Sequence, residues 1–208
     1  VNKELQSQMT AAVEDTILTL FDELSDKYSW YPECTKNIHY YNGWRTNIAH
    51  MINKKVILPM QTTRSYENYI DVTLYSVVRK LNDIEKVMDY LNDGRIAPYI
   101  DIERVLEMAK HEGQTRNIES RYFTLTFYKK GTVHLTFKNA ELLKKFNIFG
   151  SRKKAWLPPC YGKKHYDEMT PEEKQVIDEF EGSTAEYEKT LAEKDYYLRG
   201  AGNLLTIA

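Results

Sequence analysis

The feature that most constrains the fold is a run of alternating residues, from Arg121 to Lys138, that predicts a β-hairpin. Lys129-Lys130-Gly131-Thr132 separates two β-rich halves, and Gly131 can adopt the positive φ that a tight turn needs. The apolar face consists of Phe123, Leu125, Phe127, Val133, Leu135 and Phe137. The opposite face is expected to carry Tyr122, Tyr128, His134, Lys138 and several threonines. The run therefore predicts a small antiparallel sheet with one face against a core.

A strongly basic segment follows the hairpin, from Lys144 to Tyr166. It contains seven Lys or Arg and no acid, and Trp156, Tyr161 and Tyr166 are interleaved with the cations. Cations neutralise phosphates and aromatic rings stack on bases, so the segment predicts a nucleic-acid-binding surface. Together with the hairpin turn, the candidate binding residues are Tyr128, Lys129, Lys130, Lys144, Lys145, Arg152, Lys153, Lys154, Trp156, Tyr161, Lys163 and Lys164.

Two alternatives apply to this basic segment. Its aromatic residues can instead fix a solvated loop to the core. In addition, the stretch from Asp167 to Asp195 holds eleven acidic residues against three lysines. Pairing between the basic and acidic stretches inside one chain would weaken binding to nucleic acid.

Length and composition favour a folded chain that buries a core. Hydrophobic residues make up 42% of 208 residues and the net charge is -1. We expect one α+β domain over residues 1–197, or two lobes over 1–92 and 93–197, followed by a flexible tail at 198–208. Because the chain is nearly neutral, any nucleic-acid role must rest on a local patch.

The two cysteines, Cys34 and Cys160, make neither a disulfide framework nor a metal site. A reducing cytoplasm is therefore the simplest compartment. The chain has no apolar run long enough to span a bilayer, so we expect no membrane association.

Apolar residues at helical spacing predict several amphipathic helices packed on the sheet. They are expected at Leu5–Leu24, at Val72–Leu91, from Asp101 to near Gly113, from Ala140 to Phe146, and after Thr170-Pro171. Asn139 can cap the fourth helix, and Phe149-Gly150-Ser151 is expected to end it.

A second hairpin is predicted from Asn37–Tyr41 and Asn47–Leu58, paired around Asn42-Gly43. His39 and His50 lie within it. No Cys or carboxylate stands at ligand spacing, so we expect both histidines to be structural or on the surface and predict no metal site.

No complete catalytic motif is present. His111, Glu112 and Arg116 could supply a base, an acid and an anion clamp, and His134 could join them. These residues lie on different predicted elements, so a nuclease or phosphotransfer enzyme is kept only as a second alternative.

Several runs carry a family resemblance. They are EDTILTLFDELSDKYSWYPECTKNIHYYNGWRTN (14 to 47), DIERVLEMAKHEGQTRNI (101 to 118), RYFTLTFYKKGTVHLTF (121 to 137) and LLKKFNIFGSRKKAWLPPCYGKKHYDEMTPEEKQVIDEFEG (142 to 182). They resemble a bacterial family catalogued as domain of unknown function 4942, over about Ala11 to Tyr197.

The resemblance implies a module that often follows a class I S-adenosylmethionine-dependent methyltransferase domain on plasmids, phages or integrated mobile elements. The methyltransferase half of such proteins carries a glycine-containing cofactor loop and an Asn-Pro-Pro-Phe-type motif. This chain has neither motif. No GxG-type loop follows a predicted strand, and Leu157-Pro158-Pro159 lacks the asparagine. We therefore expect no cofactor in this chain, with S-adenosylmethionine bound by an upstream domain. Functional residues of the family are unassigned, so none is transferred.

Three functional hypotheses remain. The first is a non-catalytic module for nucleic-acid binding, most readily DNA, or for target recognition beside a methyltransferase domain. The first alternative is a protein-interaction or structural module, which the many aromatic residues and the acidic stretch favour. The second alternative is the enzyme described above.

Overall fold

The computed structural model describes residues 2–25, 40–41, 44–45, 47–48, 51–63, 69–94 and 101–198. The helices in these ranges are α1 (Asn2–Ser25), α2 (Tyr75–Asp93), α3 (Asp101–His111), α4 (Ala140–Lys153), α5 (Pro171–Glu181), α6 (Thr184–Ala192) and α7 (Lys194–Tyr197). The strands are β1 (Tyr40–Tyr41), β2 (Trp44–Arg45), β3 (Asn47–Ile48), β4 (Met51–Ile52), β5 (Lys55–Pro59), β6 (Ile118–Glu119), β7 (Phe123–Tyr128) and β8 (Thr132–Phe137). The predicted α+β class is confirmed.

The predicted hairpin is confirmed as β7 and β8, which form the centre of a four-stranded antiparallel sheet. The strand order is β5-β8-β7-β6. The hairpin register pairs Phe123 with Phe137 and Tyr128 with Thr132. Gly131 adopts a φ of 78° in the turn, the left-handed conformation that favours glycine.

The strand next to β8 comes from a segment that was expected to pair elsewhere. β1 pairs with β2 on either side of the predicted turn at Asn42-Gly43. The predicted pairing of Asn37–Tyr41 with Asn47–Leu58 is wrong, because β3 pairs with β4 and β5 pairs with β8. In β5, Val56 and Leu58 lie opposite Leu135 and Val133, and all four side chains are buried. Burial of these apolar side chains favours the long-range partner over a local one.

Part of that second predicted hairpin lies outside the described residues. This applies to its turn at Asn42-Gly43 and to His39 and His50. Cys34 also lies outside the described residues. The tail predicted at 198–208 lies outside the described residues from 199 onward.

Most of the predicted helices are confirmed, and local capping explains where two of them begin. The side chain of Asn139 accepts a hydrogen bond from the Leu142 amide at the start of α4. Thr170 and Glu173 form a reciprocal capping box at the start of α5, with Pro171 at the first helical position. None of the described helices is long and apolar enough to cross a membrane.

Helix α4 is longer than predicted, because Phe149-Gly150-Ser151 does not end it. The helix continues to Lys153, and the Gly150 backbone packs against the ring of Phe21 in α1. The same ring meets Phe146 edge-on, with centroids 5.5 Å apart. Gly150 therefore allows close approach of two helices and does not act as a terminator.

The buried side chains form two hydrophobic clusters. The larger one joins helices α1 to α4 to the inner face of the sheet. The smaller one contains Ile148 of α4 together with Leu157, Cys160, Tyr161, Met169, Ile177, Tyr187 and Tyr197. The chain after α4 thus has its own apolar core and rests on α4 through Ile148. The division into lobes at residue 92 stays a prediction.

Candidate nucleic-acid interface

The outward face of the hairpin carries polar and aromatic side chains. Because side chains alternate along a strand, Thr124, Thr126 and Tyr128 lie on the face opposite the apolar core. Across the strands they meet Thr136, His134 and Thr132 in register. Thr132 is buried and the other five are half-buried.

A cation and two rings form a row on this face. The ring centroids of Tyr128 and His134 are 4.4 Å apart, with an interplanar angle of 43°. The Arg116 guanidinium carbon lies 5.9 Å from the Tyr128 centroid, within cation–π range. The turn before β6 positions Arg116, since Gln114 Nε2 donates to the carbonyls of Arg116 and Asn117 at 3.0 and 3.2 Å.

Further cations surround this row. Lys129 and Lys130 are exposed in the hairpin turn. Lys55 is exposed on β5, opposite Thr136 and two positions from Ile57, the residue opposite His134. Burial, and secondarily the charge of Lys55, lower the pKa of His134. Its ring is therefore neutral at pH 7. The name hairpin face is used below for Lys55, Arg116, Tyr128, Lys129, Lys130 and His134.

The first lysines of the basic segment lie against the acidic stretch. Lys144 Nζ lies 2.8 Å from Glu181 and 3.5 Å from Glu186. Lys145 is buried, and its ammonium group lies 4.5 Å from the ring centroid of Tyr196. Both side chains are thus engaged in holding the C-terminal helices on α4.

Three more lysines of the segment form ion pairs within the chain. Lys153 lies 2.6 Å from Glu14, and Lys154 lies 2.6 Å from Asp22. These pairs connect the end of α4 to α1. Lys164 approaches Glu173 at 3.9 Å, a longer contact within the C-terminal part.

The two aromatic residues proposed to stack on bases are engaged in the cores. Trp156 is half-buried, with its ring 5.9 Å from that of Phe21. Tyr161 is 1% exposed and donates a hydrogen bond to Glu181. Burial, and then Glu181, raise the pKa of Tyr161. In this conformation the Tyr161 ring has no face open to a base.

Arg152 and Lys163 are the members of the basic segment that keep an exposed side chain without an ion pair to a described carboxylate. Arg152 Nη1 donates to the Leu198 carbonyl at 3.3 Å. The structure therefore divides the candidate residues between a solvent-exposed hairpin turn and a basic segment in which the other lysines pair or pack within the chain.

A family model described as a domain of unknown function (DUF4942) matches residues 2–156. The chain belongs to this family. Comparison with curated proteins and with solved structures found no match. The DUF4942 match includes the whole hairpin face and ends at Trp156, so the resemblance drawn from residues 157–197 lies outside it.

The boundary of the DUF4942 match coincides with a change in charge and in packing. Residues 1–156 contain 23 Lys and Arg against 19 Asp and Glu, whereas residues 157–198 contain 5 against 11. The second hydrophobic cluster is built almost wholly from residues after this boundary. The DUF4942 part is thus net basic, and an acidic helical unit packs on its α4.

The four residues considered for catalysis lie in two places on the DUF4942 part. His111 and Glu112 are exposed at the end of α3, where His111 borders a shallow depression with Arg104 and Met108. Arg116 and His134 belong to the hairpin face. Among the described residues, no group of three or more His, Cys, Asp or Glu could hold a metal ion.

One buried polar cluster was missed from the sequence. Tyr122 was expected on the polar face of the hairpin, but it precedes β7, is buried, and donates to Asp89 at 2.6 Å. Arg121 Nη1 donates to the same carboxylate at 2.7 Å. Burial and Asp89 raise the pKa of Tyr122. The sequence signal for this cluster was a pair of acids four residues apart, Glu85 and Asp89, both of which are buried in α2.

Proposed function

We propose that this DUF4942 chain is a non-catalytic nucleic-acid-binding module and that the hairpin face makes the contact. One observation carries the proposal: a row of Arg116, Tyr128 and His134 lies on the outer sheet face among cations. Among the described residues, no carboxylate lies within 4 Å of the cationic groups of Lys55, Arg116 or Lys130. Their charge is available to phosphates.

The basic segment has a supporting part in this proposal. Lys144, Lys153 and Lys154 hold helices together through ion pairs, and using them for phosphates would require breaking those pairs. Arg152 and Lys163 remain open to solvent and can add phosphate contacts. The proposal thus assigns binding to fewer residues of the basic segment than the sequence suggested, and it places the main contact on the hairpin.

The accessory role beside a methyltransferase is part of the same proposal. It is supported by the family resemblance and by the lack of methyltransferase motifs in this chain. In such an arrangement the module raises the local concentration of DNA at a catalytic domain. A methyltransferase of this family should therefore show a higher KM for DNA and a similar kcat when the module is deleted.

Fluorescence anisotropy across a salt series tests the binding proposal. We expect salt-sensitive binding of labelled DNA or RNA by the full chain, because phosphate contacts release counterions. The double variant Arg116→Ala/Lys130→Ala should weaken binding about tenfold or more and lower the salt slope by about one to two. The matched control is Arg104→Ala/Lys194→Ala, which removes two exposed cations from helices elsewhere.

The proposal is wrong if no polymer binds at low salt, or if the control pair weakens binding as much as the hairpin pair. Retained folding of each variant is checked by circular dichroism and thermal unfolding. These measurements separate a local interface from a general effect of charge.

A protein-interaction module is the second candidate function, because one aromatic side chain is highly exposed to solvent. Tyr75, in the first turn of α2, is 79% exposed, and Tyr69 nearby in sequence is 50% exposed. Exposed tyrosines are common anchors at protein interfaces. Light scattering after size exclusion, with Tyr75→Ser as the variant, would show a self-association that depends on this side chain.

A further inference from the structure

The outer face of the sheet is suited to binding unstacked bases. The rings of Tyr128 and His134 lie half-buried on the sheet surface, and threonines flank them on both strands. A tyrosine and a neutral imidazole in contact offer an extended π-surface.

Base-paired duplexes cannot use such a surface along their length. Bases inside a duplex stack on each other, and only their edges are open in the grooves. A two-stranded β-ribbon can enter the major groove, but β7 and β8 are flanked by β5 and β6 in the sheet. A single strand, in contrast, can turn its bases outward and stack them on aromatic rings.

The charges fit the same ligand. Arg116 lies at one end of the row, and Lys129 and Lys130 follow Tyr128 in the hairpin turn. Lys55 adds a cation on the neighbouring strand, beside His134. A backbone that crosses the strands would thus meet cations on both sides of the stacked bases, which is how single-strand-binding surfaces combine stacking with phosphate contacts.

We propose that the hairpin face binds single-stranded nucleic acid, with bases stacked on Tyr128 and His134 and phosphates held by Arg116, Lys129 and Lys130. This inference rests on the proposed function and specifies its ligand. By analogy with other four-stranded sheets that stack bases, the face accommodates about two or three nucleotides.

The role of each residue type predicts a different response to salt. Loss of a stacking ring lowers affinity at every salt concentration and leaves the salt slope unchanged, because no phosphate contact is lost. Loss of a cation lowers both affinity and slope, by about 0.7 per phosphate contact on a single strand. If the ring only supported the fold, its loss would lower the affinity and the salt slope together.

The experiment compares a labelled 12-nucleotide single strand, as DNA and as RNA, with a blunt duplex of equal length. We expect the single strand to bind at least tenfold more tightly than the duplex. Tyr128→Leu should weaken single-strand binding about 5- to 100-fold with an unchanged salt slope. Tyr128→Phe keeps the ring and should bind as the parent does. Tyr75→Leu, which removes an exposed tyrosine on α2, is the matched control.

The outcomes distinguish the ligand class from the function itself. Equal or tighter binding of the duplex, with loss only in the Arg116→Ala/Lys130→Ala variant, overturns the single-strand inference and leaves nucleic-acid binding standing. Loss in Tyr128→Phe equal to that in Tyr128→Leu also overturns it, because the π-face is intact in the phenylalanine variant. No binding of any polymer at low salt overturns both proposals.

Discussion

Gly150 in α4 lies directly under the aromatic ring of Phe21 in α1, so that a Cβ atom at position 150 would overlap the ring. The two residues are far apart in sequence, and their contact sets how closely α1 approaches α4. Phe21 is fully buried and also touches Phe146 and Trp156. One glycine therefore determines the packing of a helix pair at the centre of the larger core.

This contact predicts that Gly150→Ala destabilises the protein, although alanine is the better helix former. Helix propensity alone favours alanine by about 1 kcal/mol. Overpacking against a buried ring costs about 1–3 kcal/mol, so we expect a net loss measurable by urea unfolding. The double variant with Phe21→Leu should lose less than the sum of the two single variants. A gain in stability in Gly150→Ala would show that the ring moves aside freely.

The attachment of the acidic unit to α4 predicts an unequal effect of two lysine substitutions. Lys144 pairs with Glu181, whose side chain is 2% exposed, whereas the pair of Lys153 with Glu14 is more open. Lys144→Met leaves a buried carboxylate without its cation and should cost about 3 kcal/mol. Lys153→Met, the matched control, should cost less than about 1 kcal/mol. Equal losses in urea unfolding would contradict this difference in burial.

A carboxylate before α2 predicts a loss of stability in acid. Burial acts to raise the pKa of Asp71, but hydrogen bonds from Thr73 and Lys110 outweigh it and lower the pKa. A lowered pKa stabilises the fold above the unfolded-state value of about 3.9, and this contribution is lost as pH falls from about 5. Urea unfolding from pH 7 to pH 3 should show a weaker pH dependence for Asp71→Asn. An unchanged pH dependence in Asp71→Asn would contradict this prediction.

The charge beside His134 predicts a shift that can be followed by NMR. Burial lowers the pKa of His134, and the Lys55 cation lowers it further. Lys55→Met should therefore raise this pKa, while burial keeps it below the ordinary value of about 6.5. Lys54→Met removes a neighbouring exposed cation and is the control. An unchanged pKa in Lys55→Met would show that Lys55 lies too far from the ring to act together with it on the hairpin face.

Local signals allowed much of the fold to be predicted. The hairpin was recognised from alternation and Gly131, and α4 and α5 from the caps at Asn139 and Thr170. These features depend on residues within a few positions of each other, and their hydrogen bonds form wherever the segment lies. For the same reason Lys129 and Lys130 could be assigned to the hairpin turn, and Tyr128 to the outer face of the strand, from the sequence alone.

Only the tertiary structure decided which residues of the basic segment are open to a ligand. Composition placed seven cations together with Trp156, Tyr161 and Tyr166, but the partners of the lysines come from α1 and from the acidic helices, distant in sequence. The partner strand of β5 and the role of Gly150 could not be predicted from the sequence either, because each depends on apolar surfaces that meet only after folding. The sequence by itself thus determined the local elements and their charge, and long-range packing and ion pairing determined which of those charges remain available.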